Sequence, residues 1–419
     1  MKRPTLLIIL ILSAGQMYGQ SLSLENCRSL ARAAADNDAR IENINQNAKA
    51  NAQILKQLIL PFAEGFGLYS YQSDVTDFDR LTDYQMTFQK QSKDQFHFGV
   101  IIQQNIYKGG EYINKRKLVD LERQIGLQEL EQNMMELDNT VDELFFNCIL
   151  AQKSISIVSL QVEKLQMDLG NVQDLFSEGK AMRKDVLMIE SMIIETEGRL
   201  AELKAEKEKC FALLSTLTGE EISPDSQLEL PEGAELTTEV EEPSLILSEL
   251  KLSKNNLYQK LALSEALPTL SLSALGFYGK WGLDLLNPDP TFNGIVGIKM
   301  EIPITQWRTQ HYKKSLYKAQ AAQINYSIND INRRRNMMYA EYDGQIRKYR
   351  ALEDEATRLS TKYDEIAAEL KSLVDSGDEA RKEYLTAQNA AMQSKLNCEL
   401  YRIERIKAII ARNRAIVSE

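Results

Sequence analysis

Between Leu130 and Leu217 the apolar residues keep one spacing throughout, and few folds can absorb it. In the first arm they step by alternating fours and threes: Leu130, Met134, Leu137, Val141, Leu144, Cys148 and onward to Leu165, Leu169, Val172 and Phe176. Steps of this kind place one side chain per turn on one face of a helix, so the arm is predicted as an uninterrupted heptad seam. After 177–181 a second arm resumes the spacing from Val186, Ile189 and Ile193 to Cys210, Leu214 and Leu217. The arms mirror each other about Gly179: Phe176 answers Met182, Val172 answers Val186, and Val141 answers Leu217. The stretch is predicted as an antiparallel helical hairpin, bent at a residue that tolerates positive φ.

The turn recurs. Gly179, Arg183, Lys184 and Leu187 reappear as Gly377, Arg381, Lys382 and Leu385, each displaced by 198, and Gly99 and Gly297 keep that displacement. The chain therefore reads as two tandem copies of one unit.

Within each copy the period changes ahead of the hairpin. The stretch 23–60 has helical spacing and stops at Pro61. Gln95–Tyr107 then alternates, with Phe96, Phe98, Val100, Ile102 and Ile106 on one face and Gln95, His97, Gly99, Gln103 and Asn105 on the other. Phe62–Tyr71 is a weaker strand candidate, and Tyr84–Gln89 a candidate extension of its partner. In the second copy a helix from Ser244 is followed by strands over Thr269–Lys280 and Phe292–Ile304, where Ile298, Met300 and Ile302 alternate with Gly297, Lys299 and Glu301. The Pro61 to Pro268 displacement exceeds 198, so the first strand pair is expected to have the longer loop. From Glu111 to Phe176 there is no proline, which predicts a rod of about 100 Å.

The organisation read from this pattern is a signal segment 1–19, a first repeat 20–219, a connector 220–243 and a second repeat 244–419. The signal assignment rests on Lys2 and Arg3, the apolar run Leu6–Leu12 and small residues up to Gly19, with cleavage open between Gly15 and Gly19. The connector holds Pro224, Pro231 and Pro243 and many acids but no Lys or Arg, the composition of an exposed linker. Beyond the signal we expect no apolar run long enough to span a membrane as a helix, so strands must do so if anything does. A net charge of −10 gives no reason to expect nucleic acid. Cys27, Cys148, Cys210 and Cys398 lack metal-ligand spacing, and no metal or other cofactor is expected. Cys148 and Cys210 face each other across the hairpin; they read either as a disulfide, in an oxidising compartment, or as two small buried seam residues. His97 and His311 have no nucleophile or carboxylate constellation around them, so catalysis is not expected.

Four strands with one greasy face cannot close a membrane barrel, because the smallest need about eight. With its export signal, its twice-repeated order of helix, two strands and long hairpin, its acidic connector, and Asp185, Val186 and Leu187 after Gly179, the chain resembles the TolC-like outer-membrane efflux protein family. The resemblance implies a mainly α fold with β: a homotrimer in which four strands per chain build one 12-stranded outer-membrane barrel, continued by a barrel of helical hairpins across the periplasm. It implies a passive exit duct in outer-membrane lipid, for efflux or type I secretion, partnered by a periplasmic adaptor and an inner-membrane transporter. The competing reading is a periplasmic structural coiled coil that conducts nothing.

By the same resemblance the turns at Gly179 and Gly377 close the periplasmic mouth. Acidic residues would ring the aperture, here Asp185, Asp375, Asp378, Glu379 and Glu383, where repulsion among copies would favour cations. Arg381 and Lys382 depart from the usual pattern and could pair with these acids; the alternative is a capped, solvated turn. Adaptor contact is implied at Ala181, Met182, Arg183, Ala380 and Arg381.

Overall fold

A computed structural model of the chain describes residues 22–75, 91–231, 233, 236, 243–284, 287, 289–375 and 380–415. The signal segment, Tyr84–Gln89, and the turn residues Gly377, Asp378 and Glu379 lie outside the described residues. The elements in order are α1 (Leu24–Ala34), α2 (Asn37–Lys56), β1 (Phe62–Tyr71), β2 (Asp94–Lys108), α3 (Glu111–Ser177), α4 (Arg183–Thr218), α5 (Pro243–Ser264), β3 (Thr269–Lys280), β4 (Thr291–Glu301), α6 (Ile304–Asp375) and α7 (Arg381–Ala415). The helix expected over 23–60 is in fact broken: Asp36 sits at φ 54°, which ends α1, and a 3-10 turn, Gln57–Ile59, closes α2 ahead of Pro61.

The chain divides into two compact units that cut across the sequence repeats, each drawing on both halves. The first comprises Met1–Ile41, Gln128–Ile246 and Asn329–Glu419. Its core gathers Phe145, Phe146, Phe211, Leu214, Val141 and Ile149, with Cys27, Cys148 and Cys210 among them. Val141, Cys148, Cys210 and Leu214 are seam positions of the hairpin, Phe145, Phe146, Ile149 and Phe211 lie beside the seam, and Leu24, Cys27 and Ala31 of α1 with Ile403 and Ile406 of α7 close the core. Arg28 grips Asp142 with two hydrogen bonds of 2.9 Å, and Arg414 donates to the same carboxylate at 3.0 Å. Arg32 binds Asp138 and Glu131. Bidentate pairs of this type, largely out of solvent, define where α1 docks.

Two expectations need correction in this unit, and a third reading had two alternatives open. The connector is not simply a solvated linker: Ile222, Leu228 and Leu230 pack on the core while Glu221, Asp225 and Glu229 face solvent. Leu22 forms a parallel bridge with Leu228, bonding Gln227 and Glu229 of the connector. The disulfide alternative is not formed, since Cys148 and Cys210 are both free thiols. Burial pushes the Cys148 thiol up, with Cys210 beside it adding to the shift; burial raises Cys27 to about 12. Finally, an 18-residue window within α3 is apolar enough to cross a membrane by length and composition, and 44% of it is buried. The hairpin core is built from the apolar side chains of this helix, Phe145, Phe146 and Ile149 among them.

The second unit comprises Glu42–Leu127 and Leu247–Ile328. Its sheet is antiparallel in the order β1-β2-β3-β4, two strand pairs set side by side with α3, α4 and α5 intervening in the chain between β2 and β3. The segment 72–93 joining the first pair is longer than 281–290 joining the second, as the proline displacement predicts. Beside the sheet, Leu121 and Ile125 of α3 pack with Leu247, Leu250 and Leu257 of α5.

Candidate functional site

Two places carry the sequence-predicted function, and each is described within its own unit. In the first unit the α3–α4 turn is built as expected around Gly179, at φ +71°. Its N–H donates to the Phe176 carbonyl at 3.0 Å and the next N–H, of Lys180, reaches back to Leu175 at 2.8 Å, the pairing that satisfies the carbonyls of a helix end when a left-handed residue follows it. The start of α4 is satisfied by Asp185, whose carboxylate accepts the Met182 N–H at 3.0 Å.

Asp185 has a second partner. Arg381, at the start of α7, reaches it at 3.9 Å, with side-chain exposures of 13% for the arginine and 19% for the aspartate. Two residues assigned to different roles by sequence, aperture and adaptor contact, are thus one ion pair joining the two hairpins. Glu383 is exposed, as are Met182 and Arg183, while Ala181 and Ala380 are half-buried and pack on the apolar cluster behind the turn. Asp375 ends α6. Arg381 and Lys382, flagged as a departure, behave differently: the first is paired inward and the second faces solvent.

Behind this pair lies a polar network that sequence reasoning missed. Asp168 accepts from the Tyr384 hydroxyl at 3.2 Å and from Gln388 at 3.1 Å, and Gln161 donates to Gln388 at 3.5 Å; all are buried. Gln388 also bonds the Tyr384 hydroxyl. A buried carboxylate demands such donors, and here they all come from α7. The signal was present in the spacing: Tyr384 and Gln388 stand one helical turn apart on an otherwise alanine-rich face, and Asp168 falls next to seam residue Leu169.

In the second unit the strand register decides which side chains share a face. Phe98 lies opposite Tyr278, which lies opposite Phe292, and Ile102, Ala274 and Val296 form the next such row but one. Continuing along the strands, Leu272 meets Ile298 and Leu270 meets Met300. This face is almost wholly apolar and open to its surroundings: Phe292 is 87% exposed, Val296 75% and Ile298 71%. The opposite face mixes polar side chains, Gln103 beside Ser273 and Asn105 beside Ser271 and Lys299, with one apolar row of Ile101, Leu275 and Ile295, and carries an ion pair of 2.5 Å between Lys299 and Glu301. His97 is on this polar face, its Nε2 3.0 Å from the Trp281 carbonyl and its ring edge-on to Phe277.

Two strand-end assignments change. A bulge between Asn105 and Tyr107 slips the register by one, so Tyr107 and not Ile106 stands opposite Leu270. β4 ends at Glu301, and Ile304 begins α6 instead of extending the strand.

No family model matches the chain, and no curated protein does. Solved structures do. The Campylobacter jejuni CmeC outer membrane channel aligns over 94% of this chain and 85% of its own, at 18% identity and a TM-score of 0.68. The outer membrane protein VceC of Vibrio cholerae aligns over 94% and 97%, at 13% identity and 0.67. The open state of the Neisseria gonorrhoeae MtrE outer membrane channel gives 94% and 88%, at 14% and 0.67. The fold of this chain is that of the TolC-like outer-membrane channels.

Proposed function

We propose that the chain is a subunit of an outer-membrane exit duct, in which three copies pool their strands into a 12-stranded barrel and conduct substrates passively. The observation that carries this reading is the open sheet of the second unit. One face presents Val100, Ile102, Phe292, Val296 and Ile298 outward, and among the described residues both edge strands, β1 and β4, lack a neighbour on one side. In water each large apolar side chain so exposed forgoes about 1.5–3 kcal/mol. In hydrocarbon the greasy face is at home, but an unpaired strand edge is not, and closure is required. Four strands cannot close; three sets of four can. The polar face, with Gln95, Gln103, Lys299 and Glu301, then lines the water-filled side. The likeness to solved outer membrane channels supports the same reading.

The helices of the first unit would extend into the periplasm, with the hairpin tips meeting a periplasmic adaptor coupled to an inner-membrane transporter. Of the tip residues, Ala181, Met182, Arg183 and Ala380 are the contact candidates; Arg381 is committed to Asp185. Glu383, exposed near the second turn, with Asp375, Asp378 and Glu379, is the candidate acidic ring, whereas Asp185 acts as a helix cap and ion-pair partner. The duct is not a catalyst in this reading.

The test is the state of the exported, membrane-extracted chain. A heat-sensitive trimer that fractionates with outer membranes and gives discrete conductance steps in planar bilayers is expected. A monomer released by osmotic shock alone would establish the periplasmic rod instead.

A further inference from the structure

We propose that the helical ends just below the sheet form a binding surface for the headgroups of anionic glycerophospholipids. The inference rests on reading the sheet as a membrane barrel. It is carried by a separate observation, the graded outward face of α6. Ile304, Trp307 and Tyr312 are exposed in the first turns, at 66%, 53% and 74%. Arg308 stands between Trp307 and Tyr312, and Lys314 and Lys318 follow on the same face, all exposed and none in an ion pair among the described residues. The inner face is committed elsewhere: the Trp307 indole N–H donates to the Ala266 carbonyl at 2.9 Å, Gln310 to the Ala262 carbonyl at 2.6 Å, and Lys313 pairs with Glu265. Between 304 and 329 the chain has no Asp or Glu, in a protein whose net charge is −10.

The other strand-to-helix junction repeats the cations but not the lack of acids, since Glu111, Asp120 and Glu122 stand there. Ile113 is 60% exposed at the start of α3, and Arg116 and Lys117 follow it, exposed and without an ion pair among the described residues. The displacement of 198 that relates Gly179 to Gly377 also relates Lys115 to Lys313 and Arg116 to Lys314. In each copy the first cation is neutralised within the protein, Lys115 by Glu111 and Lys313 by Glu265, and the second is left open.

Apolar and aromatic side chains giving way within two or three turns to unpaired cations match the passage from acyl chain to negatively charged headgroup. Arg308 lies about 6 Å along the helix from Ile304, within reach of the headgroup layer, and Lys314 and Lys318, about 15 and 21 Å along, stand outside it in the negative surface potential that such headgroups set up. A zwitterionic surface offers no net charge to answer these cations, so the partner is the anionic phospholipid. Each such contact is worth about fivefold in affinity.

The test reconstitutes the purified full-length protein in vesicles of equal parts phosphatidylglycerol and phosphatidylcholine, re-extracts it gently and counts co-purifying lipids by native mass spectrometry. The expected result is at least roughly tenfold retention of phosphatidylglycerol over phosphatidylcholine, falling below about twofold in R308Q/K314Q/K318Q. Independently of any variant, the wild-type preference should collapse between roughly 50 mM and 0.5 M salt. Insertion with no headgroup preference, or a preference that survives both the substitutions and the salt, overturns this proposal and leaves the barrel reading standing. A chain that never enters the vesicles overturns both.

Discussion

Phe211 and Phe292 are the same side chain in opposite circumstances. The first has no exposed surface, closed in by the hairpin, α1 and α7; the second keeps 87% of its surface, on a sheet face where its neighbours are equally bare. The first unit closes a core from within and answers its buried charges, pairing Asp142 with Arg28 and Arg414 and burying Asp168 beneath Tyr384 and Gln388, while Leu160, Met167 and Ile194 stay exposed on its helices. The second unit leaves a continuous greasy face and two open strand edges, and so depends on surroundings the isolated chain does not supply. A patterned run of apolar residues, heptad in the hairpin and alternating in the strands, thus closes a core in one place and leaves an open face in the other, and the difference lies in whether another element of the same chain covers it.

Substitutions can break or sharpen this contrast. The largest effect is expected from Phe211→Ala, which should lose about 4 kcal/mol of stability because its closed surroundings cannot collapse to fill the space; denaturant unfolding would read it. Phe292→Ala should change the unfolding midpoint far less in detergent. Next, Val296→Arg should cost about 3 kcal/mol in a bilayer, near the middle of the apolar face, seen as failure of membrane assembly with the helical content intact. An arginine there that assembles normally would mean the face does not meet lipid. Asp142→Asn should cost about 2 kcal/mol by leaving Arg28 and Arg414 without their shared counter-charge, discounted because all three keep some solvent contact; limited proteolysis should then release the N-terminal segment before the hairpin opens. Gly179→Ala should cost about 1 kcal/mol through its left-handed backbone, leaving the fold otherwise unchanged. Smallest in stability is a labelling result: alkylation near neutral pH should spare the buried Cys27, whose thiol burial has raised to about 12, and unfolding without reductant should expose all four thiols. Only two reactive thiols after unfolding would reinstate the Cys148–Cys210 bridge.

Much of this was legible in the letters because period and proline placement are local properties. The heptad seam named part of the first core, Val141, Cys148, Cys210 and Leu214, but not Phe145, Phe146, Ile149 or Phe211 beside it, and the alternation named the apolar strand face. What was not legible depended on register or on partners distant in the chain. The bulge at Ile106 moved Tyr107 onto the apolar face, since a single extra residue inverts every later side chain. The connector looked like an acidic linker because its few apolar residues, Ile222, Leu228 and Leu230, reveal their purpose only when Leu22 and the hairpin core stand beside them.

The candidate site divides along the same line. Gly179 could be placed at its turn from symmetry alone, because a helix that must reverse needs a residue free of the left-handed penalty at that point. That Asp185 would cap α4 and reach Arg381, or that Asp168 would lie under Tyr384, needed coordinates: these partners sit some two hundred positions apart, and no periodicity encodes which of many carboxylates ends up beside which cation. Repetition in the chain was enough to specify helices, strands and bends; the choice of partners belonged to packing, because burial alone determines which charges must be answered and by whom.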